Sequence, residues 1–452
     1  MLCFLCQSAA QVRKNVPTGH EQAQRDGTGI FRPKNGTAGI GTSEKTEVKK
    51  ISATYLFTGN QPPLKNGILI CEDDGTVLDV IDTGGHLHEQ SRLEHYSGIL
   101  VPGFVNTHCH LELSHLKGKI PEKTGLGGFL AAINQWRNVE DENDGTAIKK
   151  ADFWMQTSGI AAVGDISNSW STLETKRQSN LFYHTFVEAF GFHPSRAERA
   201  FSLAEHSETM FKELGLPASV TPHSPYSVSD VLFRKIKEKA QNQHSILSIH
   251  NQESLAEKQF FKEAAGPIFN HLQQTLGLDV SHWKPIGKSS LETTLHFLPK
   301  ENQLLLVHNT FTEQNDISVI KKHRHLENTF FVLCPRSNLY IENHLPPVRL
   351  FKKEKLNICL GTDSLASNHH LSLLQEMITL QHHFPEITMQ ELIEWACFNG
   401  AKALKIDKLF GSFEPGKKPG INLITGVDLQ NLKFTPNSKV KVLQGPVKKR
   451  IN

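Results

Sequence analysis

The chain has 452 residues, of which 38% are hydrophobic and 21% charged, and its formal net charge is +3. This length is enough for one large domain and a small one. A charge so close to neutral argues against a nucleic-acid or anionic-membrane surface, and the apolar runs are too short to span a bilayer. The composition also excludes collagen, coiled-coil and disordered proteins.

The seven cysteines are odd in number and scattered, which does not indicate a disulfide framework and is typical of a reducing cytoplasm. The 24 histidines are the unusual feature of the composition. Because histidine is the commonest metal ligand among side chains, this excess directs attention to a metal site.

Residues 1–47 are rich in Gly, Thr, Gln and Asn without sustained periodicity, and we expect them to be disordered or a non-native extension. Regular alternation begins at Val48. Short β-type runs separated by turn signals occupy residues 48–98, and the same character returns over residues 405–452. Neither segment buries much alone, so we expect both ends of the chain to form one small β-sandwich domain.

Between residues 99 and 404, short β-rich runs alternate with longer helical stretches. This pattern predicts an α/β fold of the (β/α)8 TIM-barrel type, with a doubly wound sheet as the alternative. No G-x-G-x-x-G or Walker sequence follows a run, so no nucleotide cofactor is indicated. The eight runs are Ile99–Val105, Ile160–Ile166, Leu181–Val187, Ala218–Thr221, Ile246–Ile249, Gln303–Val307, Thr329–Leu333 and Leu356–Leu360.

Polar residues follow several of these runs, at the end of a barrel where active sites lie. His108 and His110 are two apart on the first run, so both imidazoles point to the same side of the strand. His250 follows the fifth run and Asp363 follows the eighth. Three imidazoles and one carboxylate suit a single zinc or ferrous ion with an open position for water.

Two further groups are candidates for the chemistry. Glu253 comes three residues after His250, which places a carboxylate beside the metal without binding it, as a general acid or base requires. His308 ends the sixth run, and we expect it to orient or polarise the reacting water. Asp363 can hold the metal by one oxygen and accept a proton from water with the other, whereas Cys109 faces away from the ligands and packs.

Seven motifs, in order, resemble those of the amidohydrolase superfamily, in the branch of cyclic-amidine deaminases and chlorotriazine hydrolases. They lie within about residues 50–430 and are Pro102-Gly-Phe-Val-Asn-Thr-His-Cys-His, Pro222-His-Ser-Pro-Tyr, His250-x-x-Glu253, Val307-His308, Cys334-Pro-Arg-Ser-Asn338, Gly361-Thr-Asp363-Ser and Gly411-Ser-Phe-Glu-Pro-Gly. The resemblance implies Glu253 and His308 as the catalytic pair and His223 as a substrate contact. The ligands it implies for one metal ion are His108, His110, His250 and Asp363.

The sequence of the fourth run differs from that of binuclear members of the superfamily, and this difference indicates the number of metal ions. Binuclear members of the superfamily carry a carboxylated lysine on the fourth run, and residues 218–222 contain none. We therefore expect one divalent ion, zinc, with ferrous iron as the alternative. His369 and His370 replace residues that are small or acidic in the family, and we expect them to start a helix rather than to bind metal.

The substrate is indicated by His110-Leu-Glu112-Leu-Ser, which resembles aminodeoxyfutalosine deaminases. In that interpretation Glu112 contacts ribose hydroxyls or a base edge; a structural carboxylate is the alternative. A helix over Ser254–Leu276 and the loop with Trp283 resemble the family's lid. Trp283 and Phe129 either stack on a heterocycle or pack, and Arg336 either reaches an anionic group or is structural.

The resemblance implies hydrolytic deamination of a purine-like cyclic amidine, with aminodeoxyfutalosine or an adenosine-type nucleoside favoured. Glu253 protonates the ring nitrogen, Asp363 takes the proton of the water, and His308 steadies the oxyanion before ammonia leaves. Hydrolysis of another C–N or C–halogen bond is the alternative reaction, and an inactive homologue that serves as a binding protein is the non-enzyme alternative. The expected partner is a small heterocycle in the cytoplasm, and a homodimer is left open.

Overall fold

The computed structural model describes residues 48–87, 89–137 and 144–446. The disorder or non-native origin expected for residues 1–47 therefore falls outside the described residues. The strands of the described part are β1 (Val48–Leu56), β2 (Leu64–Lys65), β3 (Ile68–Glu72), β4 (Val77–Ile81), β5 (Leu93–Pro102), β6 (Phe104–Cys109), β7 (Ile160–Ser167), β8 (Phe182–Ala189), β9 (Ala218–Pro222), β10 (Leu247–Asn251), β11 (Leu304–His308), β12 (Thr329–Leu333), β13 (Asn357–Leu360), β14 (Ile421–Thr425) and β15 (Lys439–Gln444).

Helices alternate with the strands after β6, and α4 packs against β8 and β9 while α5 packs against β9. No helix of the described residues has both the length and the apolar character of a membrane span. The α-helices are α1 (Gly125–Arg137), α2 (Asp144–Thr157), α3 (Leu173–Gln178), α4 (Ala197–Glu213), α5 (Asp230–Gln243), α6 (Leu255–Glu263), α7 (Pro267–Asn270), α8 (Ser290–Thr294), α9 (Gln314–His323), α10 (Pro335–Ile341), α11 (Val348–Lys353), α12 (Leu373–His383), α13 (Met389–Ala396) and α14 (Phe398–Ala403).

Strands from both ends of the described chain pair within one seven-stranded sheet, which we call the composite sheet. Its order is β15-β14-β5-β1-β3-β4, with β2 beside β1. β1 and β5 are parallel and the other neighbours are antiparallel. Ile51, Leu69, Leu100 and Leu423 belong to its own buried apolar cluster. The pairing of β5 with β14 thus joins segments from opposite ends of the sequence.

The first expected run, Ile99–Val105, is divided between two strands, and its prediction as a single strand was wrong. β5 ends at Pro102, which has no N–H to continue a ladder, and β6 begins two residues later. Gly103 between them allows a close approach, since a Cβ there would lie 2.3 Å from the carbonyl oxygen of Pro419. The expected start of the barrel at residue 99 therefore falls inside a strand of the composite sheet.

Eight parallel strands form two four-stranded sheets, β6-β7-β8-β9 and β10-β11-β12-β13. Most of these strands are buried along their whole length, as expected for strands covered on both faces. The two sheets meet where the His250 amide donates to the carbonyl oxygen of His223 (3.0 Å), and again where Cys109 bridges to Asp363. Parallel strands alternating with helices confirm the predicted α/β class.

The long helix expected over Ser254–Leu276 is interrupted, so that prediction was wrong. α6 ends before Ala264, which has a φ of 51°, and Gly266 follows with a φ of 91°. Pro267 then begins the short helix α7, which continues into a π-helical turn over His271–Thr275. A left-handed residue, a glycine with a positive φ and a proline therefore separate one helix from the next.

Candidate metal centre and active site

Two histidines lie at the end of the first parallel strand. His108 is the penultimate residue of β6 and His110 directly follows the strand. Alternation along the strand turns both imidazoles to the same side, and their Nε2 atoms lie 3.1 Å apart. Both side chains are buried, and burial lowers the pKa of each. The two rings are therefore neutral at pH 7, the form that binds metal.

His250 and Asp363 reach the same point from β10 and from the loop after β13. The Nε2 atom of His250 lies 3.3 Å from Nε2 of His110. The Oδ1 atom of Asp363 lies 3.4 Å from Nε2 of His110 and 3.7 Å from Nε2 of His108. Nε2 of His110 thus has two further imidazole nitrogens and one carboxylate oxygen within 3.4 Å, from residues that span more than 250 positions of the sequence. We call His108, His110, His250 and Asp363 the four ligands of the candidate metal centre.

This spacing is what a single divalent ion requires. Zinc binds histidine nitrogen at about 2.0–2.1 Å, which sets the ligand atoms of a tetrahedral shell about 3.3–3.4 Å apart. Nδ1 of His250 faces the carbonyl oxygen of His223 at 2.9 Å and donates to it, which leaves Nε2 of His250 on the side of His110. His108, His110 and Asp363 form one group that could hold a metal ion, and His108, His250 and His308 form another that shares His108.

Hydrogen bonds to one oxygen of the Asp363 carboxylate set the direction of the other. Its Oδ2 accepts hydrogen bonds from the hydroxyls of Ser337 (2.5 Å) and Ser367 (2.8 Å), which leaves Oδ1 toward the imidazoles. Burial acts to raise its pKa, but the hydrogen bond with His108 and the surrounding histidines hold the pKa well below its usual range. Asp363 has a φ of 56°, a strained value for a residue with a side chain.

Glu253 lies beside the four ligands, in the loop after β10. Its Oε1 accepts a hydrogen bond from the hydroxyl of Tyr226 (2.6 Å), and its Oε2 lies 3.8 Å from Nε2 of His308. Burial raises the pKa of Glu253 to about 8, although the Tyr226 hydroxyl acts to lower it. The carboxyl group is therefore protonated at pH 7 and can donate a proton.

His308 ends β11 and is buried, and burial lowers its pKa to about 3. Its Nδ1 lies 3.2 Å from Oδ1 of Asn338, so the neutral ring donates from Nδ1 and presents Nε2 to the site. His308 has a φ of 72°, and Asn309 after it has a φ of 54°. The backbone is strained where this imidazole is presented, as is common at functional sites.

His223 follows β9 and is half-buried, with its ring 4.9 Å from that of His250. Its Nδ1 contacts the hydroxyls of Ser224 (3.0 Å) and Ser227 (2.7 Å). His223, His250 and Glu188 form a further group whose ligand atoms lie close together. The structure therefore brings His223 next to His250.

Glu112 is buried in a polar network near the same strand ends. Its two carboxylate oxygens accept from the backbone N–H (3.0 Å) and the side-chain amide (2.9 Å) of Asn168. The same amide donates to Glu188 at 3.1 Å, and Glu188 lies 3.4 Å from Nδ1 of His250. Glu112 is thus linked to His250 through Asn168 and Glu188, and both of its carboxylate oxygens already accept hydrogen bonds within the chain.

Three other residues predicted to contact a substrate make contacts within the chain. Trp283 stacks on Phe260 with ring centroids 4.1 Å apart, in an apolar cluster that Phe129 also contacts. Nε of Arg336 donates to Asn368 at 3.2 Å. The structure gives Trp283 and Phe129 packing partners and ties Arg336 to the loop after Asp363.

His369 and His370 do not start a helix, and that prediction was wrong. α12 begins at Leu373, so both histidines lie in the preceding loop. His369 is exposed and pairs with Glu122 at 3.2 Å, away from the four ligands.

Several residues of the site were not predicted from the sequence. Tyr226, Ser337 and Asn338 stand inside the family motifs without a predicted role, and their positions after strand ends were the available signal. Glu188 comes directly after the third expected run, as His308 does after the sixth, and that position was the signal for it. Asn168 follows β7 in the same way.

A second buried polar cluster lies close by, around Lys176 and Asp165. Nζ of Lys176 lies 2.6 Å from Oδ2 of Asp165 and donates to the hydroxyls of Ser167 (3.1 Å) and Thr185 (3.0 Å). Oδ1 of Asp165 accepts from the backbone N–H of Leu111 at 2.8 Å. Both charged side chains are fully buried, and each of these polar atoms faces a partner of complementary character.

The eight parallel strands carry polar side chains at their carboxyl ends, which is where α/β enzymes of this kind place their active sites. The profile of the amidohydrolase family matches residues 99–448, and the chain belongs to this family. The resemblance stated from the seven motifs is thereby confirmed.

Similar proteins agree with this membership. The chain is 28% identical over 391 residues to a Helicobacter pylori protein named adenosine deaminase, covering 82% of this chain and 91% of that one. It is 27% identical over 365 residues to the aminodeoxyfutalosine deaminase of a Nitratiruptor species, covering 77% and 85%.

Two solved structures share the fold. Helicobacter pylori aminofutalosine deaminase in complex with methylthio-coformycin superposes with a TM-score of 0.71 at 24% identity, covering 86% of this chain and 93% of that chain. A Xanthomonas campestris adenosine deaminase with bound zinc gives a TM-score of 0.67 at 18% identity, covering 88% and 92%.

Proposed function

We propose that the chain is a hydrolase that deaminates an adenosine-type nucleoside, a class that includes aminodeoxyfutalosine, with one divalent metal ion. The observation that carries the proposal is the convergence of four ligand atoms beside a protonated Glu253 and a neutral His308. The relatives named as adenosine and aminodeoxyfutalosine deaminases support the substrate class.

We propose zinc as the ion, with ferrous iron as the alternative. The ligands would be His108, His110, His250 and Asp363. A single ion is supported by β9, whose sequence Ala-Ser-Val-Thr-Pro offers no lysine to bridge a second one. When bound, such an ion supplies Lewis-acid activation of a water molecule, whose pKa falls from 15.7 toward about 7.

Glu253 would act as the general acid. A carboxyl group with a pKa of about 8 holds its proton at pH 7 and can deliver it from Oε2 to a ring nitrogen of the substrate. Protonation of that nitrogen makes the adjacent amine-bearing carbon more electrophilic. The Tyr226 hydroxyl holds Oε1 and so orients the carboxyl group toward His308.

His308 and Asp363 would complete the proton transfers. Asn338 holds Nδ1 of His308, so its Nε2 is positioned to contact the oxygen that adds to the ring. The carboxylate of Asp363, kept ionised by the neighbouring histidines, would accept the proton of the water and pass it to the departing ammonia.

The substrate would be contacted by side chains around the candidate metal centre. His223 lies next to His250, with ring centroids 4.9 Å apart, and would contact the substrate directly. Glu112 would contact a ribose hydroxyl or base edge only in exchange for its hydrogen bonds with Asn168. Trp283 would cover the ring from the lid, and Arg336 would support the loop that carries Asp363.

We further propose that the two parallel sheets close into one (β/α)8 barrel within residues 99–404. The contacts between His250 and His223 and between Cys109 and Asp363 support closure at both junctions. Residues 48–98 and 405–452 would form the small β-sandwich domain, and the composite sheet supports the joint use of both chain ends.

The test is ammonia release by protein loaded with one equivalent of zinc, screened against adenosine, 5′-methylthioadenosine, aminodeoxyfutalosine, guanine and a chlorotriazine. We expect turnover of adenosine-type nucleosides with inosine-type products. The Glu253→Gln variant serves as the matched control for contaminating deaminases. Turnover of guanine or the triazine alone would overturn the proposed substrate class, and no turnover by fully loaded protein would overturn the proposed activity.

A further inference from the structure

A buried carboxylate holds the loop that carries Glu253. Glu257 lies in the first turn of α6 and is fully buried. Its Oε2 accepts a hydrogen bond from the backbone N–H of Glu253 (2.9 Å), and its Oε1 accepts one from the backbone N–H of Gln252 (3.1 Å). One side chain thus binds two successive backbone N–H groups, the second of which belongs to Glu253 itself.

The two hydrogen bonds lie on either side of a strained residue. Gln252 has a φ of 47°, in the left-handed region that a residue with a side chain rarely adopts. Such a conformation persists where the surrounding structure determines it. The contacts with Glu257 engage the N–H of Gln252 and the N–H of the next residue, so they stabilise the turn between His250 and Glu253.

The same turn is held on its other side by the loop that follows His308. The carbonyl oxygen of Gln252 accepts from the backbone N–H of Phe311 (2.9 Å), and the side-chain Oε1 of Gln252 accepts from the hydroxyl of Thr312 (2.7 Å). The loops after β10 and β11 are therefore joined directly, and the hydrogen bonds to Glu257 fix the joined loops to α6.

This arrangement differs from ordinary helix capping. Ser254 precedes α6, and its hydroxyl accepts from the backbone N–H of Glu257 (3.0 Å). A glutamate at this third helical position commonly reaches back to the N–H of the capping residue. Glu257 instead reaches one and two residues further back, to Glu253 and Gln252. Its carboxylate therefore acts on the loop before the helix.

We propose that Glu257 is a positioning residue, which fixes the backbone of Gln252 and Glu253 so that the general acid stays in place. The inference rests on the proposed function. The carboxyl group of Glu253 has one oxygen 2.6 Å from the hydroxyl of Tyr226 and the other 3.8 Å from Nε2 of His308. Both distances depend on the position of the backbone, and a misplacement of about 1 Å can lower a rate by about 10²-fold.

The experiment compares Glu257→Ala with the unmodified zinc-loaded protein in the deamination of adenosine and 5′-methylthioadenosine. Removal of both acceptors should lower kcat by at least about tenfold and change KM by less than about threefold, because the general acid is displaced while the substrate still binds. The zinc content should stay unchanged. Glu257→Gln should have an intermediate kcat, since its amide oxygen can still accept from one of the two N–H groups. This variant also carries the test if Glu257→Ala does not fold.

Glu391→Ala is the matched control. Glu391 occupies the third position of α13, and its carboxylate accepts from the backbone N–H of Thr388 at 2.9 Å. The variant therefore removes a similar hydrogen bond at a helix that carries none of the residues placed in the candidate active site. It should lower the midpoint of urea unfolding and leave kcat and KM unchanged. An equal loss of kcat in this variant would overturn the inference, because any weakened helix start would then have the same effect.

A double-mutant cycle separates positioning from general stability. Glu253→Gln leaves no general acid to position, so the addition of Glu257→Ala in that background should change kcat by less than about twofold. The midpoint of urea unfolding should still fall. If Glu257→Ala lowers kcat by the same factor in both backgrounds, Glu257 does not act through Glu253 and the inference is wrong.

Amide hydrogen exchange tests the loop independently of activity. The N–H groups of Gln252 and Glu253 should exchange faster in zinc-loaded Glu257→Ala than in the unmodified protein, and their exchange should not change in Glu391→Ala. Unchanged exchange in Glu257→Ala would overturn the inference and leave the deaminase proposal standing. Absence of turnover by the unmodified zinc-loaded protein would overturn the proposed function, and exchange would then still decide whether Glu257 holds this loop.

Discussion

The Lys176–Asp165 cluster and the four-ligand cluster are both buried near the strands β6 and β7, but their polar atoms face different partners. Lys176 and Asp165 face each other and the hydroxyls around them, so each charge is balanced within the chain. In the other cluster, Nε2 of His110 faces two further imidazole nitrogens and a carboxylate oxygen. The second set supplies the nitrogen and oxygen atoms that zinc prefers as ligands, so the comparison distinguishes a cluster whose charges are balanced internally from a candidate metal centre.

The largest effect on the candidate metal centre is expected when one of its four ligands is removed. His110→Ala should reduce the zinc content and lower kcat/KM by roughly 10³-fold or more, because Lewis-acid activation contributes several kcal/mol to the transition state. Metal analysis by mass spectrometry and ammonia release check both results. The control His369→Ala removes an exposed histidine that pairs with Glu122, and it should keep its metal and its activity. Full zinc content in His110→Ala would contradict the assignment.

Disruption of the Lys176–Asp165 cluster should lower the stability of the protein and leave its zinc content and activity unchanged. Lys176→Met leaves a buried, unpaired Asp165 and should lower the free energy of unfolding by about 3–5 kcal/mol. Urea denaturation measures this change, while zinc content and kcat of the folded protein should stay unchanged. Adding Asp165→Asn should restore part of the stability, since the amide oxygen can still accept from Leu111. If Lys176→Met lost its zinc while its free energy of unfolding stayed unchanged, the structural role of the Lys176–Asp165 cluster would be contradicted.

Within the functional cluster, Glu253 is expected to act on the reaction and not on the metal. Glu253→Gln should keep one zinc per chain and lose at least ~10²-fold in kcat, the scale of general acid–base catalysis. As the control, Glu263→Gln changes an exposed glutamate at the end of α6 and should leave kcat and zinc content unchanged. Near-normal turnover by the Glu253 variant would refute its role.

The smallest expected effect is a shift of the pH profile. The pKa of Glu253 is raised from its usual value to about 8, and the protonated form is the active one. Activity should therefore be level below this pH and fall as the pH rises through about 8. Tyr226→Phe removes a hydrogen bond that favours the ionised carboxylate, so the fall should move upward by about one pH unit. If activity of Tyr226→Phe falls at the same pH as that of the unmodified protein, a group other than Glu253 controls the pH profile.

The convergence of His108, His110, His250 and Asp363 could be predicted from the sequence because it depends on simple geometry. A His-x-His on a strand points both rings to one side, and parallel strands gather their carboxyl ends at one edge. The same reasoning did not fix the ring of His308 or the carboxylate of Asp363. Both residues have a positive φ, which no periodicity predicts, and their orientations depend on Asn338 and Ser337 from a distant helix.

Two interruptions of expected elements had a local signal in the sequence. Pro102-Gly103 divides the first run, and Gly266-Pro267 interrupts the expected lid helix, both of which are common breaker pairs. The role of Lys176 had no such signal. A lysine in a six-residue helix is usually a solvent-facing charge, and only the packing of β7 and β8 around it makes it a core residue.

The composite sheet has a consequence for the order in which the protein forms during synthesis. β5 can pair with β1 once both have been synthesised, but its other edge waits for β14, which follows all the parallel strands in the sequence. Until then β5 exposes an unpaired strand edge, which can template pairing with a neighbouring chain. Slower translation of the region between β5 and β14 would lengthen the time that this edge stays open, and a nascent chain stalled before Ile421 would be the form most prone to aggregate.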